Sequence, residues 1–342
     1  MNIFDYANYY KDYNFDEILF NEIDALIYAT LAYLPVPTMT NGSVIGNIME
    51  KVQKETMKGA VAPISIELLQ IIEKSKRYKN IQINNVIKKE DEEVQFGAMT
   101  FRNDEYTVVA FEGTNASIVG WVENFMLTSE YPTKTQTLAI EYLKDTITKY
   151  DEKIYVVGHS KGGNLAMAAT METPDNIFDR ILVTYNFDGP GFRKEELETE
   201  KFARMNSKTI NILPKGSLVG ILMNNRNYNY VDAEGIGFKQ HYVTSWQLFG
   251  QFFIKSKLSR GSTQLMESLQ KSVDELKPED VKKTLEIVMD FFRKNNITKT
   301  EDIKYIKLED AKKMFREIKD VDEKSKELLI QIIRILINPN VG

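Results

Sequence analysis

Several residue types and patterns are missing from this sequence, and each absence narrows what the protein can be. No cysteine occurs among the 342 residues, which excludes disulfides and thiolate metal sites. No apolar run approaches the roughly 20 residues that a helix needs to span a bilayer. The formal net charge is −5, so we expect no nucleic-acid partner.

The beginning of the chain also lacks a targeting pattern. The first twenty residues, MNIFDYANYYKDYNFDEILF, have no basic segment followed by an apolar one, so we expect no secretory signal. Together with the missing cysteine and membrane span, this predicts a cytoplasmic protein. Histidine is scarce as well. Any chemistry that needs an imidazole must use His159 or His241.

The residues that are present favour an α/β fold. Hydrophobic residues make up 43% of the chain, enough for a sizeable core. Residues 21–34 and 63–78 have apolar positions at helical spacing. From residue 81, short apolar strands alternate with helices, which is typical of a mostly parallel sheet flanked by helices. After about residue 247 only helical patterns are seen, the last being EKSKELLIQIIRILI at 323–337.

These changes of pattern predict three parts. Residues 1–80 form a helical N-terminal part that packs on the core. Residues 81–250 form the α/β core, and residues 251–342 form a helical C-terminal appendage.

The stretch YVVGHSKGGNL contains the pattern Gly-x-Ser-x-Gly between a predicted strand and a predicted helix. In a nucleophile elbow, this pattern holds a serine in a tight turn, and the glycines allow close approach of strand and helix. Ser160 is therefore the predicted nucleophile, and the backbone N–H of Lys161 is a predicted oxyanion donor. The alternative is an ordinary strand-to-helix turn.

A nucleophilic serine needs a base and an acid. His159 adjoins Ser160 and is expected to point elsewhere, which leaves His241, after the last core strand, as the predicted base. Its alternative is a surface-loop histidine. If the chain order is serine, acid, histidine, Asp188 in YNFDGPGF is the best candidate, because it ends the strand after the elbow helix. A turn-capping role for it stays open, and the fallback acids are Asp232 and Glu234.

An oxyanion hole also needs a second donor from an early loop. Gly113 and Thr114 follow the strand YTVVAF, so the backbone N–H of Thr114 is the predicted second donor. The alternative is an ordinary β-turn.

Seven segments, in order, carry a family resemblance: FEGTN, GWVENF, QTLAIEYL, GHSKGGNLAMAA, FDGPGF, LPKGSLVGILM and QHYVTSW. Over about residues 20–250 the chain resembles a bacterial family of lipase-like α/β hydrolases, which is itself similar to the class 3 lipases. The resemblance implies an α/β-hydrolase fold, with Ser160 as nucleophile and His241 as base. It also implies Thr114 and Lys161 in the oxyanion hole.

Two positions depart from the class 3 pattern. Where those lipases carry their acid, this chain has Ser217, which moves the predicted acid to Asp188, a position resembling that of the acid in pancreatic-type lipases. The residue after the nucleophile is usually apolar in lipases and is Lys161 here. Its cation could favour an anionic acyl group or a phosphate head, or it could be a solvated lysine in the first helical turn.

The sequence thus predicts a serine hydrolase that cleaves an ester or thioester of a lipid-like substrate through an acyl-enzyme at Ser160. This chemistry needs no metal or organic cofactor. The expected partner is a small-molecule or lipid ester, and transient contact with a membrane surface is compatible with it. The segment WQLFGQFFI, residues 246–254, is either lipid-facing or ordinary core.

Two other readings stay open. A non-catalytic binding module would explain the helical appendage, which could also be a lid over the site. A peptidase or acyltransferase would use the same triad.

Overall fold

A computed structural model describes residues 1–115, 117–274 and 277–298, without the side chains of residue 269 and residues 271–274. The predicted helix at 323–337, like the rest of the appendage beyond residue 298, lies outside the described residues. The proposed division into three parts stays a prediction.

One sheet of eight strands forms the centre of the molecule, with the strands in chain order from edge to edge. Neighbouring strands are antiparallel from β1 to β4 and parallel from β4 to β8. The strands are β1 (Ser43–Val44), β2 (Gln82–Glu90), β3 (Gln95–Arg102), β4 (Thr107–Phe111), β5 (Ile154–His159), β6 (Ile181–Phe187), β7 (Thr209–Pro214) and β8 (Tyr228–Val231).

Helices cover both faces of this sheet. The helices are α1 (Ile3–Tyr10), α2 (Glu22–Leu31), α3 (Val61–Ile72), α4 (Ile118–Met126), α5 (Lys134–Thr146), α6 (Lys161–Met171), α7 (Asp175–Phe178), α8 (Lys194–Leu197), α9 (Glu200–Asn206), α10 (Arg260–Asp274) and α11 (Pro278–Lys294). The mostly parallel sheet between two helical layers confirms the predicted α/β-hydrolase fold class.

The apolar sequence of β4, TVVAF, shows why both layers are needed. Val108 and Ala110 pack in the cluster that α1, α2 and α3 form on one face. Val109 and Phe111 pack on the other face with residues of α5 and α6. Successive side chains of a strand point to opposite faces, and all five residues of β4 are buried, so the strand must be covered on both sides.

The prediction that only helices follow residue 247 is wrong. A two-stranded hairpin comes first, formed by β9 (Leu248–Phe249) and β10 (Phe252–Phe253). Leu248 and Phe253 are buried, whereas Phe249 and Phe252 are exposed, which is the alternation of a strand. The segment 246–254 is therefore not wholly core, and its lipid-facing alternative stays a prediction. Strands of two residues are too short to produce a detectable period in the sequence.

Helix α11 covers α4 rather than the sheet. Ile118 of α4 shares an apolar cluster with Val281, Leu285 and Val288 of α11. No helix among the described ranges is both long and apolar enough to cross a bilayer.

A buried ion pair connects α2 to the segment between α3 and β2. Asp24 at the start of α2 accepts hydrogen bonds from Arg77 Nε at 2.9 Å and Nη2 at 2.6 Å, and both side chains are fully buried. The hydroxyl of Tyr78 also donates to Asp24. Arg77 Nη1 donates to the carbonyl of Ile18 at 2.8 Å. One carboxylate thus holds together segments that are distant in sequence.

We expect Arg77→Met to lower the free energy of unfolding by about 3–5 kcal/mol, because it leaves the Asp24 carboxylate buried without its cation. Lys76→Met is the matched control. The neighbouring Lys76 pairs with Glu17 at 2.9 Å with both side chains about half exposed, so its loss should cost under about 1 kcal/mol. Urea unfolding of both variants checks this, and equal losses would contradict it.

Candidate active site

The elbow has the backbone that its sequence predicts. Ser160 lies between the end of β5 and the start of α6 with φ of 59° and ψ of −135°, a conformation rare for a residue with a side chain. A Cβ at Gly158 would collide with the carbonyl of Gly162, and one at Gly162 would collide with the carbonyl of Phe111. Glycine is therefore required at both positions for the turn to pack against its neighbours.

Asp188 and His241 are in direct contact. Asp188 follows β6, the strand beside β5, so it lies at the same sheet edge as Ser160. His241 Nδ1 is 2.7 Å from Asp188 Oδ2, and both side chains are buried. Because a carboxylate only accepts hydrogen bonds, Nδ1 carries the proton, and in the neutral ring Nε2 is left as an acceptor.

The Asp188 carboxylate is fixed on its other side as well. Its Oδ1 accepts hydrogen bonds from the Ser217 hydroxyl at 2.5 Å and from the Gly220 N–H at 3.0 Å. Ser217 thus supports the carboxylate that contacts His241. The sequence does not reveal this role, because the hydrogen bond joins residues 29 positions apart in the chain.

The fallback acids lie elsewhere. Asp232 Oδ1 accepts from Lys215 Nζ at 2.6 Å in a partly exposed ion pair. Glu234 is exposed on the surface. Neither carboxylate contacts His241.

His159 contacts both the backbone and the ring of His241. Its Nε2 donates to the His241 carbonyl at 2.9 Å, and the two rings lie 4.6 Å apart. Its Nδ1 faces the Tyr33 hydroxyl at 3.2 Å. Burial, and then electrostatic repulsion with the neighbouring His241 ring, hold the pKa of His159 well below its ordinary value of 6.5. His159 is therefore neutral, and its ring nitrogens face Tyr33 and the His241 carbonyl rather than Ser160.

The Ser160 hydroxyl makes no hydrogen bond with any of the described residues. The structure thus brings Asp188 and His241 into contact. Ser160 lies at the same sheet edge, where its N–H donates at 2.9 Å to the carbonyl of Phe187, the residue before Asp188. Hydrogen bonds between a nucleophile and its base are often long without substrate and shorten in the reacting complex.

The two predicted oxyanion donors are available. Within the described part of the chain, neither the N–H of Thr114 nor that of Lys161 has a hydrogen-bond acceptor. The Thr114 loop leaves β4, which pairs with β5 through Phe111 and Gly158, so loop and elbow are neighbours. Asn124 Nδ2 donates to Thr114 Oγ1 at 2.9 Å and holds the loop.

Both sequence interpretations of the Lys161 side chain are wrong. Only 1% of the residue is exposed, so it is not a solvated lysine. Its ammonium group has three donors, and three acceptors of Gln95 and Glu123 already use them. No donor is left for an anionic acyl group or a phosphate head. The first turn of a helix is usually exposed, but here Glu123, distant in sequence, provides a buried partner.

Between residues 1 and 298, leaving out 116, 275 and 276, no three histidine, aspartate or glutamate side chains lie close enough together to hold an ion.

The neutral state of His159 has a consequence for stability. Its folded pKa is depressed, so below about pH 6.5 the unfolded chain binds a proton that the folded chain does not. The stabilisation is complete above that pH and is lost as the pH falls, with a slope of up to about 1.4 kcal/mol per pH unit. In urea unfolding from pH 8 to pH 5, we expect the stability of the wild type to fall more steeply than that of His159→Gln. Parallel curves would contradict this.

Comparison with known proteins gives a family and several lipase structures. A family model described as Mbeg1-like matches residues 72–290. A triacylglycerol lipase whose catalytic centre is a serine protease triad is 12% identical, with a TM-score of 0.37, over 61% of this chain and 79% of that chain. M37 lipase is 14% identical, with a TM-score of 0.37, over 72% and 78%. Lip2 lipase from Yarrowia lipolytica is 12% identical, with a TM-score of 0.33, over 74% and 93%.

No curated protein matches the sequence. The bacterial origin and the signature segments of the expected family stay predictions. Since the family model covers well over half of the chain, the protein belongs to the Mbeg1-like family.

Proposed function

We propose that the protein is a serine hydrolase that cleaves a carboxylic ester or thioester, with a lipid-like substrate, through an acyl-enzyme at Ser160. The observation that carries the proposal is the buried contact between His241 Nδ1 and Asp188 Oδ2 at the sheet edge where the elbow presents Ser160. A binding module has no use for a serine in a strained turn beside such a pair.

In the proposed first step, Ser160 Oγ attacks the carbonyl carbon of the substrate. His241 Nε2 accepts the hydroxyl proton, and the Asp188 carboxylate stabilises the imidazolium that forms. The carbonyl oxygen becomes an oxyanion, which the N–H groups of Thr114 and Lys161 bind. The N-terminus of α6 adds favourable electrostatic potential at the same place.

The intermediate then collapses. The bond to the leaving alcohol or thiol breaks, and His241 returns its proton to that group. A water molecule repeats the sequence on the acyl-enzyme: His241 takes its proton, the acid product leaves, and Ser160 is restored. The steps use no redox chemistry, and each proton is returned.

The resemblance of the sequence segments to lipase-like hydrolases supports an ester with a lipid-like acyl group. The serine, histidine and aspartate would serve a peptidase or an acyltransferase equally well. The substrate class is therefore a separate question from the catalytic residues.

Covalent labelling tests the catalytic residues. We expect a fluorophosphonate probe to modify the wild type at Ser160 and to leave Ser160→Ala unlabelled, with mass spectrometry locating the adduct. Asp188→Asn should lower kcat for ester hydrolysis by roughly 10³–10⁴-fold, because the imidazole loses its orienting carboxylate.

Asp232→Asn is the matched control, because Asp232 belongs to a partly exposed ion pair away from His241. It should label and turn over like the wild type. An unlabelled wild type, or equal losses in the two aspartate variants, would favour a binding module or another acid.

A matched series of substrates tests the substrate class. We expect an ester and a thioester of a medium-length fatty acid to be hydrolysed and the corresponding amide to have a much lower kcat/KM, since the leaving amine is poorer. An amide turned over as fast as the ester would favour a peptidase instead.

A further inference from the structure

The side chain of Lys161 makes a buried connection that the proposed mechanism does not use. Its Nζ donates to the Gln95 carbonyl at 2.7 Å, to Gln95 Oε1 at 2.9 Å and to Glu123 Oε2 at 2.7 Å. The side chains of Lys161 and Glu123 are 1% and 8% exposed. A buried ion pair of this kind is costly to form and needs full hydrogen bonding, which it has here.

Lys161 decides how the Gln95 amide is oriented. Oxygen and nitrogen of an amide side chain differ in hydrogen bonding, because only the oxygen can accept from an ammonium group. With Oε1 on Lys161, the NH₂ group must face the other way. There Nε2 donates to the carbonyl oxygen of Gly113 at 3.2 Å.

The Gly113 carbonyl belongs to the same peptide unit as the N–H of Thr114. This peptide is trans, and in a planar trans peptide the N–H points opposite to the C=O. When Gln95 holds the carbonyl on its side, the Thr114 N–H points away from Gln95. That N–H has no acceptor among the residues described, which leaves it available for an oxyanion.

Helix α4 fixes the same loop from a second side. Glu123 receives Lys161 on Oε2 and the hydroxyl of Thr135 on Oε1 at 2.8 Å. The next residue, Asn124, holds the Thr114 side chain. The two consecutive residues therefore connect α4 to the elbow and to the loop that follows β4.

We propose that Gln95 is a positioning residue of the oxyanion hole, and that the side chains of Lys161 and Glu123 keep it in place. Gln95 touches no reacting atom and acts through the Gly113–Thr114 peptide. The inference rests on the proposed function, because it assigns a role in the same reaction. Lys161 then contributes to the oxyanion hole in two ways. Its backbone N–H is a donor, and its side chain orients Gln95.

The test compares two substrates that differ in one atom. A thionoester carries sulfur in place of the carbonyl oxygen, and sulfur is a poor acceptor, so the oxyanion hole helps its hydrolysis little. We expect Gln95→Met to slow ester hydrolysis about 10- to 100-fold in kcat with KM changed by less than about threefold. Hydrolysis of the matched thionoester should slow by less than about threefold.

A second variant and a matched control separate positioning from folding. Gln95→Glu keeps an oxygen for Lys161 but has no donor for the Gly113 carbonyl, so it should show the same selective loss on the ester. Gln136→Met removes another buried glutamine, whose Nε2 donates to Asn164 at 2.8 Å away from the loop, and should leave the ester-to-thionoester ratio unchanged. Circular dichroism and thermal unfolding show whether each variant is folded.

The outcomes are distinct. If a folded Gln95→Met or Gln95→Glu slows both substrates equally, or neither, the inference is wrong, while loss of turnover in Ser160→Ala would still support the proposed function. If Ser160→Ala hydrolyses the ester as fast as the wild type, the proposed function and the inference both fail.

Discussion

The parallel register of β4, β5 and β6 is the constraint on which the site depends. Phe111 pairs with Gly158, and His159 pairs with Phe187, so the three strands end together at one edge of the sheet. The residues that follow the three strands therefore lie close together at this edge. They are the loop with Thr114 after β4, Ser160 after β5 and Asp188 after β6. The carboxyl edge of an open parallel sheet is the usual place for a site for this reason.

Buried polar groups give this edge its rigidity. The Asp188 carboxylate accepts from His241, Ser217 and Gly220, and the Lys161 ammonium is surrounded by oxygens of Gln95 and Glu123. A buried charge without partners costs several kcal/mol, so few alternative arrangements of these side chains are available. The same principle operates far from the site, where Asp24 and Arg77 fix the N-terminal helices.

Helix α4 links the proposed site to the C-terminal helices. It holds the elbow through Glu123 and the loop through Asn124, while its apolar side packs against α11. Among the described residues, α11 is thus connected through α4 to the loop that contains Thr114. Residues 278–294 therefore have a physical relation to the proposed site that a separate external module would lack.

Local pattern and composition are enough to predict the alternation of strands and helices, the tight turn at Ser160 and the restriction of imidazole chemistry to His159 or His241. Tertiary structure decided which carboxylate meets His241, since Asp188 lies 53 positions away in the chain, whereas Asp232, which is nearer in sequence, pairs with Lys215. It also decided the environment of Lys161, which the first turn of a helix predicts as exposed and which Glu123 buries from 38 positions away. Contacts between residues so far apart in the chain form only when the strands and loops pack together at the sheet edge. Local sequence patterns therefore do not predict them.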